Sequence, residues 1–185
     1  MPYIVFAFVI FIILISVIII IMNIEMVISS VFNKKIPPVP SGDKMRNAVI
    51  GEIVKNYPNV KSIIDIGSGW GGFVRKIAKD IPGAKVTGVE VVHSPYIVSK
   101  ITQIIFGPKN CEFVRKNAFE YIKDKKFDMA VCYLSTMNMK EFESYRDRFK
   151  IVIAIDFEFS NIKPSRVIKI HKDIMGDHSI YIYEN

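Results

Sequence analysis

No charged side chain stands between Pro2 and Ile24, and no basic one precedes Lys34. The stretch YIVFAFVIFIILISVIIIIMNI is apolar on every side. Lacking an amphipathic stripe, it does not read as the helix of a globular core. It has the roughly 20 residues needed to cross a bilayer's hydrocarbon. A cleavable leader would show a basic n-region, a shorter apolar run and a better cleavage match than Ser29-Ser30. Cysteine is scarce. Cys111 and Cys132 make no disulfide framework and no metal-ligand spacing, so buried free thiols in a reducing compartment are expected. His93, His171 and His178 show no HExxH-like pattern, and no metal site is predicted. Internal repeats and low-complexity segments are absent as well.

Positive charge is what the remainder has in excess. All 25 Lys and Arg follow residue 33, against 17 acids once Glu25 is set aside from the 18, a balance of +8. Such a balance favours an anionic partner: a lipid surface, nucleic acid or an acidic substrate. Scattered lysines fit a merely solvated basic surface equally well. Lys34, Lys35, Lys44 and Arg46 flank one end of the apolar run, which predicts that the following domain lies on the cytoplasmic side. The expected organisation is a transmembrane anchor over 1–33, a Pro-rich linker and leading helix over 34–59, and the main domain over 60–185.

Three prolines in IPPVPSG, 36–42, favour extended backbone. Ser41 or Asp43 is expected to cap a helix over about 44–57, which Tyr57-Pro58 ends. Strands are predicted at 62–66, 85–90, 111–114, 127–133 and 151–155. Helices are predicted at 71–81, 95–106, 118–123 and 139–148. The strands are continuous apolar runs, as when helices cover both faces of a sheet. The alternation predicts an α/β, doubly wound, mostly parallel sheet. Only residues 156–164 precede the next strand, 166–171, too few for a parallel crossover. That strand should run antiparallel to its neighbour. A turn at Met175-Gly176-Asp177 then leads to a last strand, 179–183, giving an antiparallel C-terminal edge.

The informative segment is Asp65-Ile66-Gly67-Ser68-Gly69-Trp70-Gly71-Gly72. It ends the first strand and opens a helix, where glycines admit a ligand close to backbone and helix amides add donors. Gly67, Gly69 and Gly72 satisfy GxGxxG, and Glu90 lies eighteen residues on, which also suits a dinucleotide. Asp65 separates the two ligand classes. A carboxylate at the strand end repels a pyrophosphate and attracts a ligand carrying ammonium and sulfonium groups. The pattern favours S-adenosylmethionine over NAD.

Residues 60–133 resemble the seven-strand (class I) S-adenosylmethionine-dependent methyltransferases. DIGSGWGG resembles their first motif, and GVE, ending in Glu90, their acidic ribose-binding position. VRKNAFEYI is similar to the segment contacting adenine, with Asn117 where aspartate is commoner, and FDMAVCYL to their fourth strand. The resemblance implies a Rossmann-like methyltransferase fold with Asp65, Gly67, Ser68, Gly69, Gly71, Glu90, Asn117 and Ala118 around S-adenosylmethionine. Residues 1–165 resemble, more narrowly, the membrane-anchored lysine methyltransferases of mitochondrial adenine nucleotide translocase and ATP synthase c-subunit, and their bacterial relatives. An apolar N-terminal segment, Pro37-Pro38-Val39-Pro40-Ser41, Tyr133-Leu134, Asp156-Phe157 and Pro164 carry that likeness. Trp70 and Gly72 depart from the Asp and Arg of the related loop, and His93-Ser94-Pro95 lengthens the usual connection after Glu90.

That likeness implies an enzyme, a protein-lysine N-methyltransferase acting on a membrane protein. Tyr133 and Asp156 are its candidate catalytic residues. Ser135 and Phe157 line the same strand ends, and Asp156 equally suits a strand-end cap. Asp128, starting its strand, is expected at the opposite edge in a structural role. A lipid or quinone methyltransferase, and a non-catalytic cofactor-binding module, remain as alternatives. Nucleic-acid methylation is disfavoured, because CYLST stands where (D/N)PPY would follow the fourth strand and aromatics are not interleaved with a basic stripe.

Overall fold

The computed structural model describes residues 2–33, 42–173 and 176–185. The predicted linker apart from Gly42, the flanking Lys34 and Lys35, the candidate cap Ser41 and Met175 of the expected turn lie outside the described residues. The chain divides into two compact units, Met1–Pro37 and Pro38–Asn185.

Within the first unit, α1 runs from Pro2 to Asn33. Proline suits a first helical position, where no amide donor is needed. Tyr3–Ile28 is long and apolar enough to cross a membrane. At 1.5 Å per residue those 26 residues extend about 39 Å, against roughly 30 Å of hydrocarbon. Two of its polar side chains bond backward along the helix, Ser16 Oγ to Ile12 O at 2.9 Å and Asn23 Nδ2 to Ile19 O at 2.7 Å. Each bond satisfies one donor of these side chains within the helix.

The second unit is a seven-stranded sheet between two helical layers. In chain order its elements are α2 (Asp43–Asn56), β1 (Ser62–Ile66), α3 (Gly72–Asp80), β2 (Lys85–Glu90), α4 (His93–Phe106), β3 (Cys111–Arg115), α5 (Ala118–Ile122), β4 (Phe127–Cys132), α6 (Thr136–Glu143), a 3-10 turn Arg146–Arg148, β5 (Phe149–Ile155), β6 (Arg166–Asp173) and β7 (Gly176–Glu184). The strand order is β3-β2-β1-β4-β5-β7-β6. The first five are parallel, and β7 is antiparallel to both its neighbours. Alternate residues of one strand enter opposite cores. Ile63, Met129, Val131 and Ile153 meet Met45, Val49, Ile53, Val74 and Ile77 of α2 and α3. Ile64, Ala130, Cys132 and Val152 meet Phe119, Ile122, Met139 and Phe142 of α5 and α6. Burial on both faces explains the unbroken apolar runs. Both thiols are buried and free.

Three details depart from what the sequence predicts. The short connection after β5 predicts β6 antiparallel to β5, but β7 lies between them and is antiparallel to both, so β6 runs in the same direction as β5 and the antiparallel edge is made by β7. Ile180, Ile182 and Tyr183 of β7 are fully buried, whereas β6 carries Arg166, Lys169 and Lys172. The apolar strand takes the interior and the charged one the edge, where charge blocks further pairing. At α2, Gly42 occupies the cap with no side-chain bond, and Asp43 becomes the first helical residue, its carboxylate at the positive end of the helix. The helix predicted at 139–148 instead starts at Thr136, because the Ser135 hydroxyl accepts from Asn138 N at 3.4 Å. It stops at Glu143; the buried Arg146 guanidinium then donates to Phe149 O at 2.7 Å and ties the 3-10 turn to β5.

Candidate active site

The strand order reverses between β1 and β4, where α/β sheets form a crevice beyond their carboxyl ends. The glycine loop begins there. Gly67 N and Ser68 N both donate to Val89 O at 3.0 Å, stitching the loop to β2. Gly67, Gly69 and Gly71 have φ of 78°, 53° and 71°, in the left-handed region. Gly71, which caps α3, admits no side chain: a Cβ would sit 2.4 Å from Phe113 Cζ and 2.8 Å from Ser99 Cβ. Gly88 on β2 is equally confined, since a Cβ there would meet Phe113 Cδ1 and Ser68 Oγ, each at 2.8 Å. Gly88 opens the GVE segment, but its confinement has no signal in the sequence, because a close approach between side chain and strand leaves no local signature.

Glu90 closes the loop from the other side. One carboxylate oxygen accepts from Gly69 N, the other from Val91 N and Val92 N, all at 2.8 Å. The side chain is buried and these three bonds fix its orientation. Asp65 is also buried, beside Gly88 and Val131 in the register of β2 and β4. Burial, and then the Glu90 charge, push its carboxyl up to about 7, against the opposing pull of the Arg46 guanidinium. Arg46 thereby joins the site from α2, and its guanidinium lies 3.6 Å from where a Cβ on Gly72 would be. Ser68 Oγ is buried with no hydrogen-bond partner among the described residues. Two buried carboxyls, an orphaned hydroxyl and a cradle with room for backbone approach fit a small organic cation carrying hydroxyl groups.

Asn117 and Ala118 follow the end of β3, where Lys116 N donates to Glu90 O at 3.2 Å. The Asn117 carboxamide oxygen accepts from Phe119 N at 2.9 Å and caps α5. Across the crevice, Tyr133 follows β4 and stacks on Phe157, with ring centroids 6.4 Å apart and an interplanar angle of 22°. Asp156 follows β5 with φ 63°, a strained value for a side chain larger than glycine's. Its carboxylate accepts from Ser179 N at 3.1 Å and lies 2.9 Å from His178 Nδ1. Asp156 is thus a strand-end clamp onto β7, one of the two roles expected for it. His178, just before the predicted last strand, belongs to β7 and stacks on His171 with centroids 4.6 Å apart. Their meeting depends on hairpin register, which no spacing in the chain displays. Among the described residues no group of three or more His, Cys, Asp or Glu side chains gathers to hold a metal ion.

Asp128 lies at the far end of the sheet. It accepts from Lys61 N at 2.9 Å and Ser62 N at 3.0 Å, and pairs with Lys150 Nζ at 2.7 Å. The Lys150 contact, with those amides, holds its carboxyl down at about 2.

This topology and loop define a Rossmann-like, seven-strand methyltransferase fold. Residues 63–155 match the methyltransferase domain family, and the chain belongs to that family. A release factor glutamine methyltransferase from Buchnera aphidicola subsp. Schizaphis graminum is 26% identical over 113 residues, 61% of this chain; the aligned part spans 40% of that relative's length. In fold, the chain is similar to an RNA methyltransferase from Salinibacter ruber solved with S-adenosyl-L-homocysteine. The TM-score is 0.65 at 20% identity, over 79% of this chain and 93% of that one. A precorrin-6y C5,15-methyltransferase from Geobacter metallireducens gives 0.62 at 11% identity, over 82% and 93%. S-adenosylmethionine, expected from Asp65 and the glycines, is the cofactor of this class of domain.

Proposed function

We propose that the protein is a membrane-anchored methyltransferase that modifies a lysine side chain of a membrane protein, with its domain on the cytoplasmic side. The observation that carries the acceptor class is the aromatic pair Tyr133–Phe157, set beside the Asp156–His178 pair at the ends of β4, β5 and β7. The apolar helix α1 supports an acceptor in or near the bilayer.

When bound, S-adenosylmethionine supplies an electrophilic methyl group on a sulfonium. The residues of the chain do the rest by position and field, since in-line displacement at carbon chiefly demands alignment. Asp65 would hold the ammonium group and Glu90 the ribose hydroxyls, since its oxygens retain accepting capacity after three amide bonds. Asn117 and Ala118 would border the adenine. A lysine acceptor (pKa about 10.4 in water) must arrive or become neutral. Tyr133 and Phe157 exclude water around it and so disfavour the charged form. The His178 imidazole, held by the Asp156 carboxylate, accepts the proton the amine loses.

The test supplies labelled methyl donor to native membranes together with the full-length protein. A labelled protein band that disappears on lysine-specific blocking supports the reading. Label confined to the organic extract overturns it in favour of a lipid or quinone acceptor, and absence of any transfer favours a cofactor-binding module without catalysis.

A further inference from the structure

α4 is built inside out for a helix in a soluble layer. It packs against β2 and β3. Its inward face carries Ser99, fully buried, together with Thr102 and Gln103. These polar groups are satisfied locally, Ser99 Oγ on Tyr96 O, Thr102 Oγ1 on Val98 O and Gln103 Nε2 on Cys111 O. The isoleucines point the other way. Ile97, Ile101, Ile104 and Ile105 recur at helical spacing, and together they cover an arc of about 100°, the width of an apolar stripe that normally meets a core. All four are exposed, Ile104 at 80%, and Phe106 at the helix end is exposed at 81%. Exposed large hydrophobics in the second unit are otherwise scattered singly, as at Val54, Met137 and Val167. A contiguous patch of this kind marks a contact surface.

Charge identifies what it contacts. Residues 91–111 contain no Asp or Glu, while Lys100 borders the stripe and Lys109 follows it. An apolar stripe edged by cations, on a helix without acids, matches the interface of an anionic bilayer. Residues 34–42, nine in number, separate α1 from α2. Fully extended, such a segment reaches about 30 Å.

We propose that α4 lies in the membrane interface, its isoleucine stripe among the acyl-chain boundary and Lys100 and Lys109 at anionic headgroups. This rests on the reading of α1 as a membrane anchor. α4 starts just past Glu90, at the end of the sheet that holds the site, so a bilayer against this helix flanks the mouth of the crevice. An acceptor in the membrane plane then enters from the side.

The experiment places an environment-sensitive fluorophore on Ile104→Cys or, as comparator, on Glu120→Cys, an exposed position of α5 on the other face of the sheet. Both native thiols are buried. The full-length protein is reconstituted into phosphatidylcholine vesicles containing a minor share of phosphatidylglycerol, and then into vesicles with nitroxide-labelled acyl chains. The expected result is blue-shifted emission at position 104, quenched several-fold by the nitroxide lipid, with neither effect at position 120. Equal, weak quenching at both positions in protein that resists alkaline extraction overturns the α4 contact and leaves the anchor intact. Release of the protein by alkaline wash overturns both. A blue shift at position 104 that is already present in detergent, with cross-linking between copies, assigns the stripe to a second copy and also overturns the proposal. Ile101→Asp with Ile104→Asp, at two exposed positions, should abolish the shift of a label on Phe106→Cys without changing the thermal midpoint.

Discussion

Asp65 carries the heaviest physical demand in the molecule. Its carboxyl is buried next to Glu90 and is held up to about 7. A folded-state value above the unfolded one means that the native chain binds the extra proton. The associated stability is complete below about pH 4 and is lost as pH rises through about 7. Asp65→Asn should therefore make the unliganded protein more stable at pH 8, by on the order of 3 kcal/mol, and flatten the pH dependence measured by denaturant titration. A cationic ligand reverses the balance by favouring the ionised carboxylate. Binding of S-adenosylmethionine to the wild type should tighten as pH rises through about 7 and release a proton below it, seen as buffer-dependent heat. Asp65→Asn should bind at least tenfold more weakly without that proton release. At Gly71, an alanine meets both a left-handed φ and the Phe113 ring at 2.4 Å. Gly71→Ala should lower stability by about 1–3 kcal/mol in chemical denaturation. The Asp65-glycine pattern was legible in the chain because the loop chemistry is local. The parts of Arg46 and His178 in the site were not, since each reaches it through packing or register between distant segments.

The elements divide the work between the two ends of the sheet. Strand carboxyl ends bear the site, and the amino ends bear Asp128, clamping β1 and β5 through Ser62 and Lys150. Its depressed carboxyl contributes stability above about pH 4 that is lost as pH falls toward 2. Asp128→Asn should cost about 1–2 kcal/mol at neutral pH after solvent screening, and leave cofactor affinity unchanged. Tyr133→Ala should act the other way, lowering the methyl-transfer rate by tenfold or more with cofactor affinity within a factor of two, because the proposed function assigns the ring to the acceptor side. Strand and helix positions were readable from unbroken apolar runs alternating with helical spacing. The order of β6 and β7 was not. A short hairpin can enter a sheet by either strand, and the choice rests on which carries the buried Ile180, Ile182 and Tyr183. The early start of α6 likewise depended on a single hydroxyl cap, with Thr136 beside Ser135 as an equal candidate in the sequence.

On the scale of the whole molecule, an apolar helix and a basic methyltransferase domain share one chain. The proposed anchoring role of α1 predicts that the full-length protein stays in the pellet after alkaline carbonate extraction of membranes, and that removing residues 2–33 shifts the domain to the soluble fraction or to salt-extractable binding. Charge of +8 outside the apolar segment makes that residual binding fall with ionic strength. Composition alone carried the apolar segment and the basic excess, since neither depends on the fold. The proposed acceptor site draws on strand ends of β4, β5 and β7 that meet only in three dimensions, which local sequence encodes only in part. The most direct measurement is calorimetric titration of the full-length protein in detergent with S-adenosylmethionine, in parallel with its Asp65→Ala variant and with NAD. A single saturable transition for the wild type, absent in the variant and absent with NAD, is the predicted result. No heat with S-adenosylmethionine, or an undiminished transition in the Asp65→Ala variant, would contradict the site described for this chain.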